Sequence, residues 1–197
     1  MLSSADKVDG QGVGSAYLEQ VALVKEASDI FNVNVNSKEK ADIIHYHTID
    51  LKHFFKMKRT KAINVAYVHF LPPTLDGSIK LSKFIFPIFK KYVIKFYNSA
   101  DYLIVVNPSF ISELVKCGID KNKISYIPNY VSKEKFYKKS KQEINDIRKK
   151  YGFKEDDFIV LGAGQVQTRK GVKDFVDVAL KTPDINYVWC GCFSFGK

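Results

Sequence analysis

The sequence predicts an α/β protein of the doubly wound type, with parallel sheets covered by helices. Three observations predict it. Short runs of branched and aromatic residues alternate with longer segments of helical period along the whole chain. Two glycine-rich turns, at 10–14 and 162–171, each precede a helical pattern. Between them, residues 132–150 are rich in Lys and Glu, hold no Gly or Pro, and read as a solvated linker with a helical stretch.

The elements follow in order. The start, Met1-Leu2-Ser3, leaves room for almost no strand before the first turn, so that strand is very short or lies partly outside the sequence. Residues 15–27 carry Ala16, Leu18, Val21, Ala22 and Val24 at helical spacing. Residues 30–35 alternate and predict a strand, 42–47 a short buried strand, and 49–57 a helix. Residues 62–69 form the next strand, which ends at His69 and runs into the loop at 70–78. A helix over 79–97 and a strand over 102–106 follow. Ser109 is placed to cap a helix to about Cys117, with Gly118 behind it as C-cap. A strand at 124–127 closes this part at Pro128-Asn129. The pattern restarts with a strand at 158–161, the second glycine turn, a helix to about Leu180 and a strand at 185–189. The expected organisation is a first Rossmann-like domain at 1–131, the linker at 132–150, and the start of a second at 151–197, so the chain is expected to be an N-terminal portion.

Composition narrows the function. The 197 residues are 46% hydrophobic, enough for a core and too many for a disordered chain. Lys and Arg number 31 against 21 Asp and Glu, a formal charge of +10 that suits an anionic partner. No nucleic-acid module is visible, which disfavours nucleic acid as that partner. Three cysteines with no framework fit a reducing compartment; Cys190 and Cys192 read as buried strand-end residues rather than metal ligands. No Asp-x-Asp motif asks for a metal. With no signal peptide and no spanning run, the expected location is cytoplasmic and peripheral on the inner face of the cell membrane. The sequence carries no signal for oligomeric state.

Two stretches carry candidate chemistry. A glycine turn opening a helix offers unpaired amides at the positive end of the helix dipole, a place for phosphate or a polar sugar. In residues 80–96, Leu81, Phe84, Ile85, Ile88, Phe89, Tyr92 and Phe96 fall at helical spacing, with Lys80, Lys83, Lys90, Lys91 and Lys95 largely off that stripe. Such a helix can lay aromatics into a membrane interface while its lysines meet anionic headgroups. Equally, the stripe can pack on the sheet. His45 and His47 lack a third ligand and read as strand-end hydrogen-bonding residues.

Two doubly wound halves with a glycine turn each resemble a GT-B glycosyltransferase, and Thr-Arg-Lys-Gly after the second turn resembles the family 4 retaining enzymes. G-Q-G-V-G-S-A-Y-L-E-Q, D-I-I-H-Y-H-T, Y-V-H-F-L-P-P-T-L-D-G-S, Y-I-P-N-Y-V-S and G-Q-V-Q-T-R-K-G, in that order, are similar to the bacterial 1,2-diacylglycerol 3-alpha-glucosyltransferases. The resemblance runs from about Leu2 to the C-terminal F-S-F-G. It implies retaining transfer of glucose from UDP-glucose to the free hydroxyl of diacylglycerol, without a cofactor or an obligatory metal.

By the same resemblance, Gly12, Val13 and Gly14 lie beside the donor diphosphate. His69 stands near the transferred sugar as the catalytic candidate. Lys170, with Arg169 beside it, holds the diphosphate. Gln165 stands where many members carry Arg, so it offers a hydrogen bond without charge. The family's E-x7-E glutamate pair falls beyond Lys197, so the chain alone is expected not to turn over donor sugar. The alternatives are an inactive membrane-binding fragment, or a family 4 enzyme with another sugar or lipid acceptor.

Overall fold

The computed structural model describes residues 1–5, 12–71 and 85–193, together with the backbone but not the side chain of Arg169. The chain divides into two compact units, Met1–Tyr130 and Val131–Lys197.

The first unit is a parallel four-stranded sheet: β1 (Ile43–Tyr46), β2 (Ile63–Val68), β3 (Tyr102–Val105) and β4 (Ile124–Tyr126), in that spatial order. Its register pairs Tyr46 with Ala66, Val68 with Val105, and Val105 with Tyr126. Leu2 adds a single parallel bridge to Tyr46 on the outer side of β1. Helices α1 (Gly12–Glu26), α2 (Leu51–Arg59), α3 (Ile85–Asn98) and α4 (Ser109–Lys116) alternate with the strands. The two faces of the sheet differ. Ile44, Tyr46, Ala66, Val68, Leu103 and Val105 point into the main core, where they meet Met57, Val93, Phe96, Tyr97 and Leu114 of the later helices. Val65, Tyr67 and Ile104 point to the opposite face. β2 buries five of its six residues, as a central parallel strand covered on both faces must.

Side chains tie the helices to the strand ends. Tyr92 of α3 donates to the Ile49 carbonyl at 2.6 Å, and Tyr97 to the Phe70 carbonyl at 3.2 Å. Ser4 donates to the Asp50 carboxylate at 2.8 Å, and His53 Nδ1 lies 3.1 Å from the same carboxylate. Together these bonds anchor the segments that follow β1 and β2.

Three expectations need correction. Residues 31–34 form no strand: they carry no regular structure, and Ile30 and Phe31 are exposed. Among the described residues, the backbone bonds to this stretch from another strand segment come from the stub at Met1, whose ammonium donates to the Asn34 carbonyl and whose carbonyl accepts from the Asn36 amide, too little for a ladder. Ser109 does not cap α4; Asn107 Oδ1 accepts from both the amide and the hydroxyl of Ser109. Gly118 does follow the helix end in a left-handed conformation (φ 84°), and the amides of Gly118 and Ile119 return to Val115 and Leu114. Cys190 and Cys192 are exposed rather than buried. The 79–97 helix is described from Ile85, where Val93, Phe96 and Tyr97 are buried, Phe89 and Tyr92 pack on the core, and Ile85 and Ile88 are exposed.

The second unit holds α5 (Lys141–Lys150), β5 (Ile159–Ala163), α6 (Val172–Lys181) and β6 (Asn186–Cys190), with β5 and β6 parallel over five residue pairs. Phe175, Tyr187 and Trp189 pack edge-on at ring separations of 5.3 and 5.2 Å. Gly162 lies under Trp189, where a Cβ would run into the indole ring.

Candidate functional site

In parallel α/β sheets, ligands gather at the carboxyl ends of the strands. In the first unit that edge carries an unusual load. Side chains alternate along a strand, so His45 and His47 of the β1 run share a face with Tyr67 and His69 of the β2 run. Helix α1 covers this face: Gly14, Tyr17 and Val21 are its buried residues, at one-face spacing.

The result is a buried stack of rings. His47, only 1% exposed, stacks on Tyr67 at 4.3 Å with planes 15° apart. Tyr17 lies 4.9 Å from the His47 ring, and His69 stacks on Tyr67 at 5.9 Å. His69 Nε2 is 3.4 Å from His47 Nδ1. Gln20 of α1 donates its side-chain amide to the Tyr67 hydroxyl. Among the described residues, His47 Nε2 and His45 Nδ1 are buried without a hydrogen-bond partner.

Burial sets the charge of this cluster. Desolvation lowers His45 and His69 to about 4 and His47 to about 2; the neighbouring histidines add to the shift of His47. Desolvation also raises the Tyr67 hydroxyl to about 12. At neutral pH the three imidazoles and the phenol are therefore all uncharged.

Around the sequence-predicted residues the structure is specific. Gly12 opens α1 with no atom of the described residues within 4 Å of a would-be Cβ, Val13 is half-buried, and Gly14 is buried. The turn residues before Gly12 lie outside the described residues. His69 is joined to His45, His47 and Tyr67, a group that sequence reading left as separate strand ends. The available signal was the shared parity of H-Y-H and Y-V-H at the ends of adjacent strands. Tyr17 and Gln20 carried no signal beyond helical spacing.

In the second unit, the Lys170 side chain lies over Gly164, its Cδ 3.6 Å from where a Cβ would stand. Gly164 takes φ 137°, Gly171 turns into α6 at φ 71°, Gln165 is half-buried and Lys170 exposed. The amides of Gly164 and Val166 bond the carbonyls of Cys190 and Cys192. The side chain of Arg169 lies outside the described residues.

Lys80, Lys83 and Phe84 also lie outside them. Lys90, Lys91 and Lys95 are exposed on α3 and, with Lys116, Pro87 and Ile94, line an open groove of about 710 Å³; Phe89 is half-buried against the core. No helix among the described residues is long and apolar enough to cross a membrane, and no His, Cys, Asp and Glu cluster among them is suited to a metal.

Comparison with known proteins gives this geometry a context. Residues 32–135 match the model of Glycosyltransferase Family 4. The whole chain is 46% identical to the alpha-galactosylglucosyldiacylglycerol synthase of Streptococcus pneumoniae, covering 53% of that protein. It is 22% identical to the processive diacylglycerol alpha-glucosyltransferase of Acholeplasma laidlawii, over 93% of this chain and 54% of that protein. The chain thus spans about half the length of the curated relatives it matches. Among solved structures, HepE of Anabaena in complex with UDP-glucose aligns with a TM-score of 0.65 at 16% identity, over 95% of this chain and 47% of that one. The parallel α/β architecture is of the GT-B type.

Proposed function

The chain belongs to glycosyltransferase family 4, and from that premise we propose that it is part of an enzyme that moves a hexosyl group from a UDP-sugar to a diacylglycerol-based lipid at the membrane surface. The observation that carries the reading is the 46% identity along the entire chain to a diacylglycerol glycosyltransferase.

The chemistry asks for charge control at one bond. Breaking the sugar–diphosphate linkage builds negative charge on the leaving phosphate and positive charge on the ring. The amides at Gly12, Val13 and Gly14, with Lys170, Arg169 and Gln165, are the groups proposed to receive the diphosphate. One preorganised donor of this kind is worth about 3–4 kcal/mol of transition-state stabilisation. Such donors do the work without a metal. His69, neutral and at the end of β2, is proposed to bond the transferred sugar. The lysines of α3, with Lys80, Lys83 and Phe84 before it, are proposed to meet anionic headgroups, each lysine adding about 1 kcal/mol.

The first form of the reaction is retaining transfer of glucose from UDP-glucose to diacylglycerol. A second form, hexosyl transfer to an already glucosylated diacylglycerol, is favoured by the name of the 46% identical relative. The test takes the full-length enzyme that contains this chain and crosses two donors, UDP-glucose and UDP-galactose, with diacylglycerol and glucosyldiacylglycerol in anionic vesicles. An α-linked hexosyl lipid from one pairing is expected, and the pairing identifies the form. His69→Ala in that full-length enzyme is expected to lower transfer at least tenfold with the circular dichroism spectrum unchanged. No lipid product from any pairing would sink the reading.

A further inference from the structure

We propose that His47 is a positioning residue that holds His69 in its Nδ1–H tautomer, so that His69 presents a hydrogen-bond donor at Nδ1. The proposal rests on the placement of His69 at the sugar, and its test separates the two.

A neutral imidazole carries one proton on two nitrogens. His69 Nε2 and His47 Nδ1 face each other at 3.4 Å, so one of the two carries a hydrogen and the other accepts it. The far nitrogen of His47 decides which. His47 Nε2 is buried and, among the described residues, has no partner. Were the proton of His47 on Nε2, an N–H would sit buried with no acceptor, a group that folded proteins rarely leave orphaned. With the proton on Nδ1 instead, His47 buries only a bare acceptor and donates to His69 Nε2. His69 then has no proton at Nε2 and must carry it at Nδ1. In water a histidine side chain favours the opposite tautomer, so this arrangement needs an imposed neighbour.

The neighbour is held firmly. The His47 ring is stacked on Tyr67 at 4.3 Å and lies 4.9 Å from Tyr17. Tyr67 is in turn bonded by Gln20 from α1. The backbone is pinned as well, since the His47 amide donates to the Leu2 carbonyl at 2.9 Å. The stack thus fixes the plane of the ring, and the 3.4 Å contact fixes the Nδ1 edge as the one that faces His69. The helix that begins at the glycine turn thus sets, through Tyr17, Gln20, Tyr67 and His47, which atom of His69 bears hydrogen.

The tautomer is read directly by long-range proton–nitrogen correlation on protein labelled with 15N-histidine. The wild type is expected to show His69 as Nδ1–H. His47→Phe keeps a ring in the stack but removes the donor, and is expected to return His69 to Nε2–H. His47→Asn sets an amide N–H near the former Nδ1 and is expected to retain the Nδ1–H form. In transfer assays of the full-length enzyme with UDP-sugar and lipid vesicles, His47→Phe is expected to lower kcat at least fivefold with KM changed less than twofold, and His47→Asn to recover most of the loss. A wild-type His69 in the Nε2–H form overturns the proposal even if His47→Phe fails to fold. So does an Nδ1–H form that persists in a folded His47→Phe. A tautomer that switches while transfer stays intact supports the role of His47 and removes His69 from the sugar instead.

Discussion

The two units differ in what holds them. The first buries a continuous core, with Tyr46, Leu103, Val105 and Leu114 at 1% exposure or less. In the second, no described residue is buried to that extent or close to it; Phe158, Leu161 and Leu180 are 71, 65 and 75% exposed. Apolar burial is the main favourable term in folding, so cohesion in the first unit comes from packing. In the second it rests on one two-stranded ladder, an aromatic trio and local helix signals. The difference also divides the chemistry: all four histidines lie in the first unit, and the single tryptophan lies in the second. Trp189 fluorescence therefore reports one unit and histidine titration the other.

Acid is expected to separate the units most. A histidine whose pKa falls on folding binds fewer protons folded than unfolded, so stability is complete above the unfolded value and drops as pH falls. For His45 and His69 the window runs from about 6.5 down to about 4, and for His47 it continues toward about 2. Each such group contributes a slope of at most about 1.4 kcal/mol per pH unit inside its window. Denaturant midpoints followed by tyrosine near-ultraviolet dichroism, to which the first unit contributes eight of the eleven tyrosines, are expected to fall steeply between pH 6.5 and 4. The Trp189 transition, in a unit without histidine, is expected to stay nearly level there. A tyrosine transition that ignored pH would mean the ring stack is open to water.

Truncating the core sharpens the same contrast. Leu103→Ala, at a fully buried site in β3, is expected to cost about 2–5 kcal/mol. Leu161→Ala, on β5 and 65% exposed, is expected to change stability by no more than about 0.5 kcal/mol. Urea unfolding by both probes measures each. A large loss from Leu161→Ala would show that its face is covered in solution.

Much of this division was legible in the sequence. Runs such as Ile63-Asn64-Val65-Ala66-Tyr67-Val68 announce strands because branched residues suit a pleated, doubly covered surface. The second glycine turn, between β5 and α6, was equally plain. What escaped needed a partner in space. Residues 30–35 alternate like a strand, but among the described residues they form no ladder, and the stub at Met1 bonds alongside at Asn34. Cys190 ends a strand, yet exposure depends on what lies above the sheet, which one chain segment does not state. His47 belongs to the same class. Its role depends on register with Tyr67 and on the approach of α1, neither of which is written locally.

The smallest expected effect probes the local signals directly. Ser140 caps α5 in a reciprocal box: its hydroxyl accepts from the Glu143 amide at 3.3 Å, and the Glu143 carboxylate accepts from the Ser140 amide at 2.9 Å. None of the residues of α5 is buried, so this helix draws little from packing and its cap carries a larger share of its cohesion. Ser140→Ala is expected to destabilise the second unit by about 1 kcal/mol, and Ser140→Asp, which keeps an acceptor at the cap, by much less. The Trp189 midpoint should move in the first variant and the main tyrosine transition, which comes from the first unit, in neither. If Ser140→Ala left the Trp189 midpoint unchanged, α5 would be melting apart from the β5–β6 ladder, and the second unit would itself be two independent pieces.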